Sequence, residues 1–144
     1  MRGFDAGKKV KGRKRHLLVD SEGLLLKVVV HSAGIQDPAG ARAVLGSVVQ
    51  DCPRLERIWA DEIYKGPLVR WTWYCMGWVL EIVKRPPAVK GFKVLSKRWV
   101  VERTFAWLGR YRRLSKDYEE LVRSSEAWIY MAMTCLMLKR LAAS

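Results

Sequence analysis

Lys97-Arg98-Trp99-Val100-Val101-Glu102-Arg103-Thr104-Phe105-Ala106-Trp107-Leu108 is the stretch on which the fold of this chain turns. It is rich in apolar residues and free of proline and glycine, which predicts a helix over roughly 96–108. Arg98 and Glu102 are one helical turn apart, so both side chains leave on one face. A carboxylate among so many apolar neighbours is expected to be desolvated, and it is tolerated only if paired, metal-bound or chemically used. Asp61 follows the apolar run Ile58-Trp59-Ala60, which reads as the end of a buried strand. Two acids at the rim of a basic protein point to a Mg²⁺ site acting on nucleic-acid phosphate. The plainer alternatives are that Asp61 is a turn or N-cap residue and that Glu102 pairs with Arg98 or Arg103.

The rest of the composition narrows the class. A chain of 144 residues, half of them hydrophobic, makes one domain, 1–144, with a real core. Lys and Arg number 27 against 14 acids, a net charge of +13, which predicts a polyanionic partner. Cys52, Cys75 and Cys135 are odd in number and lack metal-ligand spacing, so zinc sites and disulfide frameworks are not expected. A reduced intracellular compartment fits. The first residues carry no signal-peptide pattern, and the apolar run from Ala127 to Leu138 is too short to span a bilayer.

Working back from the central helix, Val79–Val83 reads as a strand ended by Pro86-Pro87, with a basic loop at 89–94. Pro67 follows Gly66 at the start of a short helix within 65–74. Leu55–Ala60 forms another strand. Asp37 is expected to cap a helix with Pro38 at its first position, running to about Val49. Asp20-Ser21-Glu22-Gly23 is a turn between Leu17-Leu18-Val19 and Leu24–Val30, a β-hairpin preceded by the basic run Lys8–His16. Toward the C-terminus, Ser124 or Ser125 caps a last helix, apolar nearly all round and expected to be buried. The order β-β-α-β-α-β-α-α is a mixed α/β plan. Trp59, Trp99 and Trp128 are expected in the core. Trp71 and Trp73 are expected there too, with stacking on unpaired bases as the alternative.

Several runs together carry a family resemblance. They are Asp5-Ala6-Gly7-Lys8-Lys9-Val10-Lys11-Gly12-Arg13-Lys14-Arg15-His16, Ile58-Trp59-Ala60-Asp61, Leu80–Pro86, and above all Arg98–Leu108, continued by Arg112-Arg113-Leu114 and Asp117-Tyr118-Glu119. In order and over nearly the whole chain, they resemble the catalytic region of bacterial DDE transposases of the "insertion sequence five" group. That resemblance implies an α/β fold similar to ribonuclease H, a mixed sheet with flanking helices. It makes Asp61 the second and Glu102 the third acid of the catalytic triad, holding Mg²⁺ or Mn²⁺. It also implies DNA binding through Lys8, Lys9, Lys11, Arg13, Lys14, Arg15, Arg98, Arg103, Arg112 and Arg113.

The chain departs from the pattern in places. Glu62-Ile63 replace two glycines before Tyr64, Leu95 stands where a tyrosine is expected, and Gly109 falls on a lysine position, with Arg110 beside it. The resemblance places the first triad Asp on a strand ahead of Met1, with a helical DNA-binding region further upstream. The expectation is therefore a C-terminal catalytic fragment lacking its first strand, with Asp5 and Asp20 assigned to other roles. The implied function is DNA transposition: strand cleavage at the element's ends and transfer to target DNA, in the bacterial cytoplasm at the nucleoid and away from membranes. Expected partners are DNA, a second copy, or a separately encoded upstream segment. The alternatives are a catalytically inactive nucleic-acid-binding remnant and a small basic structural protein.

Overall fold

The computed structural model describes residues 2–84 and 96–143. The expectations for Arg85, Pro86-Pro87, the 89–94 loop and Leu95 lie outside them.

The predicted hairpin is longer than its apolar part. Strand β2 runs Val10–Val19 and takes in most of the basic run, and it pairs antiparallel with β3, Leu25–Ser32, from Arg13↔Ser32 to Val19↔Leu25. The turn forms because the Asp20 carboxylate accepts from the backbone N–H of Glu22 and of Leu24, at 2.9 and 2.8 Å, while Gly23 takes φ of +81°. A short strand missed in the sequence, β1 at Gly3–Asp5, pairs with the other end of β2 (Gly3↔Gly12, Phe4↔Lys11, Asp5↔Val10). The result is an antiparallel sheet in the order β1-β2-β3.

Helix α1, Asp37–Val48, has Pro38 in its first turn as expected, but the cap position falls on Gln36, and Asp37 lies within the first turn instead of capping it. Strand β4, Arg57–Ala60, leads through a 3₁₀ turn, Glu62–Tyr64, into helix α2, Pro67–Met76, which ends on the left-handed Gly77. Strand β5, Val79–Ile82, then pairs parallel with β4 (Arg57↔Val79 to Ala60↔Ile82) as a separate two-stranded sheet. Helix α3 is Ser96–Gly109, followed by a 3₁₀ turn at Arg112–Leu114 and helix α4, Val122–Ala143.

Alternation along the strands sends side chains into two cores. Leu18 of β2 meets α1 (Val44, Leu45, Val48), β4 (Ile58), α2 (Leu68), β5 (Leu80) and Trp78 on one side. Val28 and Val30 of β3 meet Leu108 of α3, Leu114 and, on α4, Ile129, Ala132 and Met133 on the other. The antiparallel sheet is thus a central layer with helices on both faces, a mixed α/β plan.

Five expectations about burial are corrected. Trp59, Trp99 and Trp128 are 39, 44 and 38% exposed, and Trp73 is 56% exposed, whereas Trp78, not singled out in the sequence, is buried at 7%. Of the expected aromatics, Trp71 is partly buried and packs against the edge of a core cluster. Helix α4 buries only one side, Ser125, Ile129, Ala132 and Met133, and leaves Met131 and Leu138 more than half exposed. It also begins before the serines, so Ser125 is a buried helical residue whose hydroxyl donates to Asp117 Oδ1 at 2.5 Å rather than a cap.

Candidate functional site

Asp61 lies where β4 stops. Its backbone is still extended, with ψ of 176°, and its carboxylate accepts from the Ile63 N–H at 3.2 Å, capping the 3₁₀ turn. Strand alternation puts Trp59 and Arg57 on the same face of β4 as Asp61, while Ile58 points into the core. On that outer face Arg57 reaches across to Glu81 of β5 at 2.8 Å. The Nζ of Lys97, in the first turn of α3, sits 4.1 Å from the centre of the Trp59 ring. Helix α3 packs against both β4 and β2, so the strand carrying Asp61 and the helix carrying Glu102 are neighbours.

Glu102 differs from its expectation. It is paired with Arg98 at 3.2 Å, but the two side chains are 46 and 48% exposed. The buried residues of α3 are Thr104 and Leu108, a narrow stripe one turn apart, and Glu102 falls beside it. Thr104 fixes the helix: its hydroxyl donates to the Gly23 carbonyl at 2.6 Å, and Arg103 donates to the neighbouring Glu22 carbonyl at 2.9 Å. The β2–β3 turn is therefore bolted to the helix bearing Glu102.

As metal ligands, Asp61 and Glu102 offer the hard oxygens that Mg²⁺ or Mn²⁺ prefers. Their number is the shortfall. Among the described residues no group of three or more His, Cys, Asp or Glu is placed to hold a metal ion. Asp20 is committed to its turn, and the Asp5 carboxylate accepts from the N–H groups of Gly7 and Lys8 at 2.9 and 3.1 Å.

Behind Asp61 lies a cluster that sequence reasoning missed. His16 of β2 and His31 of β3 stack with ring centres 4.7 Å apart, and His16 Nδ1 is 3.2 Å from the Tyr64 hydroxyl. Asp37 is 3.9 Å from His16 Nε2 and 3.1 Å from Lys14 Nζ, which also reaches Asp5 at 3.4 Å. Burial, then the His31 ring, push His16 down to about 4, so the imidazole is neutral at pH 7. Burial, then the charges of Asp37 and Asp61, push the Tyr64 phenol up to about 12. The stacked rings cannot share an ion, because a metal must lie in the plane of each imidazole that binds it. Gly40 makes room: a Cβ there would lie 2.3 and 2.5 Å from the two Nε2 atoms. A glycine inside the helix was a weak signal, since the same helix holds Gly46, whose Cβ would meet nothing.

The basic run divides in two. Lys8, Lys9 and Lys11 are exposed. Arg13, with a side chain only 2% exposed, pairs with Asp117 at 3.1 Å and donates to the carbonyls of Glu119, at 2.9 Å, and Glu120. Arg15 donates to the carbonyls of Leu114 and Lys116 at 3.0 and 3.4 Å. With Lys14 held by two carboxylates, all three inner cations serve the fold. Arg112 is exposed, and Arg113 is bound to Glu119 at 2.6 Å and lies over the rings of Tyr118 and Trp128. Among the described residues no helix is long and apolar enough to cross a membrane.

The family model described as "Transposase DDE domain" matches residues 1–138, nearly the whole chain. No curated protein and no solved structure matches.

Proposed function

The chain belongs to the transposase DDE domain family, and from that membership we propose that it is the acid-bearing part of a DNA strand-cleaving and strand-transferring site of the "insertion sequence five" kind. Asp61 and Glu102 are its proposed metal ligands, and exposed Lys8, Lys9, Lys11, Arg112 and Arg98 are its proposed contacts to DNA phosphate. One observation carries this reading: Lys97 of α3 lies over Trp59 of β4, drawing the helix of Glu102 against the strand of Asp61. When bound, a divalent metal activates the attacking oxygen and stabilises the leaving one. Arg98, already at Glu102, would hold that carboxylate in place or turn to a phosphate.

The proposed finer fold is ribonuclease H-like. β1 covers only Val10–Gly12 of one edge of β2, and among the described residues no strand pairs with Arg13–Val19 on that side. Among the described residues β4 likewise pairs on one edge alone, with β5. Leu18 and Ile58 belong to the same core cluster, so the two sheets pack around a common interior. One added strand, continuing the β1 register along β2, would join the sheets, and we propose that it brings the third acid. A second copy or a separately encoded segment could supply it as well as the same polypeptide. The absence of a three-acid group among the described residues favours one alternative, a nucleic-acid-binding chain without nuclease activity.

Cleavage of labelled element-end DNA tests the proposal. With Mg²⁺ or Mn²⁺ the 144-residue chain should leave the DNA intact. A polypeptide that also carries the upstream strand and its Asp should cleave it, and Asp61→Asn or Glu102→Gln should each abolish that cleavage. Activity that survives Glu102→Gln would remove Glu102 from the site. Activity of the 144-residue chain that is lost on Asp61→Asn would mean that another of its own acids completes the site.

A further inference from the structure

The face of the β1–β2 hairpin opposite α1 carries an open cavity of about 750 Å³, lined by Arg2, Lys11, Arg13, Tyr118 and Glu120. We propose that this cavity seats one phosphodiester group of a nucleic-acid strand. The inference rests on the DNA-binding reading above and gives it a place, well apart in sequence from Asp61 and Glu102.

The register explains the convergence. Phe4 pairs with Lys11, and Lys11 and Arg13 are two residues apart on β2, so all three project to one face. Against that face lies the 117–120 segment, fixed by Arg13 to Asp117 and to the carbonyls of Glu119 and Glu120. Arg2 closes one side by donating to the Asp117 carbonyl at 3.3 Å. The guanidinium of Arg13 is buried, and its Nε has no hydrogen-bond partner, an unused donor beside the cavity.

Charge selects the ligand. Arg2, Lys11 and Arg13 stand against two carboxylates, Asp117 on Arg13 and Glu120 in the lining, which leaves one positive charge. That suits the single negative charge of a phosphodiester better than a dianionic phosphate monoester, and Glu120 would repel the latter. Arg2 and Lys11 are the mobile donors, and Arg13 is a fixed source of field. Aromatic surface adds the nucleic-acid element: Tyr118, 53% exposed, lines the cavity, and Phe4, 57% exposed, stands on the same hairpin face. Cations interleaved with exposed rings are how proteins hold a sugar–phosphate strand and its bases.

Fluorescence anisotropy with a labelled duplex and the matching single strand, each titrated with the purified chain at several salt concentrations, tests this. Lys11→Gln should weaken binding about 5-fold and lower the salt slope by about one, and Arg2→Gln with Lys11→Gln should weaken it about 20-fold. Arg70→Gln, removing an exposed cation of α2, should change affinity less than about 2-fold by the same reasoning. Tyr118→Ala should weaken binding about 5-fold and Tyr118→Phe should restore it. Loss with both DNAs supports a sugar–phosphate contact at Tyr118, and loss with the single strand alone supports base stacking in the same cavity. The site is overturned if Lys11→Gln and Tyr118→Ala do no more than Arg70→Gln while the parent chain binds DNA. If the parent chain itself binds neither DNA, the broader DNA-binding reading falls and this inference with it.

Discussion

Replacing Arg13 by alanine should be among the most damaging single changes in this protein, even though Arg13 lies in a run of cations that looks expendable. The side chain is 2% exposed and meets the Asp117 carboxylate at 3.1 Å, the Glu119 carbonyl at 2.9 Å and the Glu120 carbonyl. Removing it leaves a partly buried carboxylate without its cation and two carbonyls without their donor. Breaking a buried pair from one side costs about 3–5 kcal/mol. Asp117 keeps the Ser125 hydroxyl at 2.5 Å, which argues for the lower end, about 3 kcal/mol. At this chain length, that corresponds to a fall in melting temperature of roughly 10 °C. Arg98→Ala is the matched control, since its pair is nearly half exposed, and it should cost less than about 1 kcal/mol. Thermal unfolding followed by circular dichroism at pH 7 compares the two. If Arg13→Ala melts within about 2 °C of the parent, the 117–120 segment is not anchored through this cation and the reasoning fails.

Acid should expose the buried imidazole. His16 is held near 4 in the folded chain against about 6.5 unfolded, so the unfolded chain takes up the proton first. Stability should be full above about pH 6.5 and fall as pH drops toward 4, by about 2–3 kcal/mol, and urea titrations of His16→Gln should show that slope flattened. Gly40→Ala should destabilise by about 1–3 kcal/mol despite the better helix former, because its Cβ would meet both Nε2 atoms at 2.5 Å or less; a higher melting temperature would show that the histidine pair shifts freely.

What could be read from the chain was mostly its punctuation. Asp20–Gly23, Asp37-Pro38 and Gly66-Pro67 each carry their own local chemistry, and the hairpin, α1 and α2 begin or turn where those residues stand. Burial was harder to read, because apolar content says that a helix is sticky and not which side is covered. Glu102 looked enclosed among tryptophans and valines, yet α3 buries Thr104 and Leu108 and turns Glu102 and Trp99 outward. Charge was harder still. Arg13 and Arg15 looked like Lys8 and Lys11 because their partners, Leu114 to Glu120, lie about a hundred residues away and are mostly backbone carbonyls. Asp61 was legible as a strand-end acid, and its N-cap role coexists with the proposed one.

The bolt from Thr104 to Gly23 ties α3 to the hairpin and Lys97 over Trp59 ties it to β4, so Glu102 rides on a helix that spans the two sheets, while Asp61 ends a strand of one of them. The distance between the two carboxylates is therefore a gauge of how the sheets sit against each other. Anything that grips both acids at once works as a clasp across that seam, and its binding energy becomes stiffness between the sheets. Conversely, a substitution deep in the shared core at Leu18 or Ile58, touching neither acid, can loosen the clasp by letting the seam open.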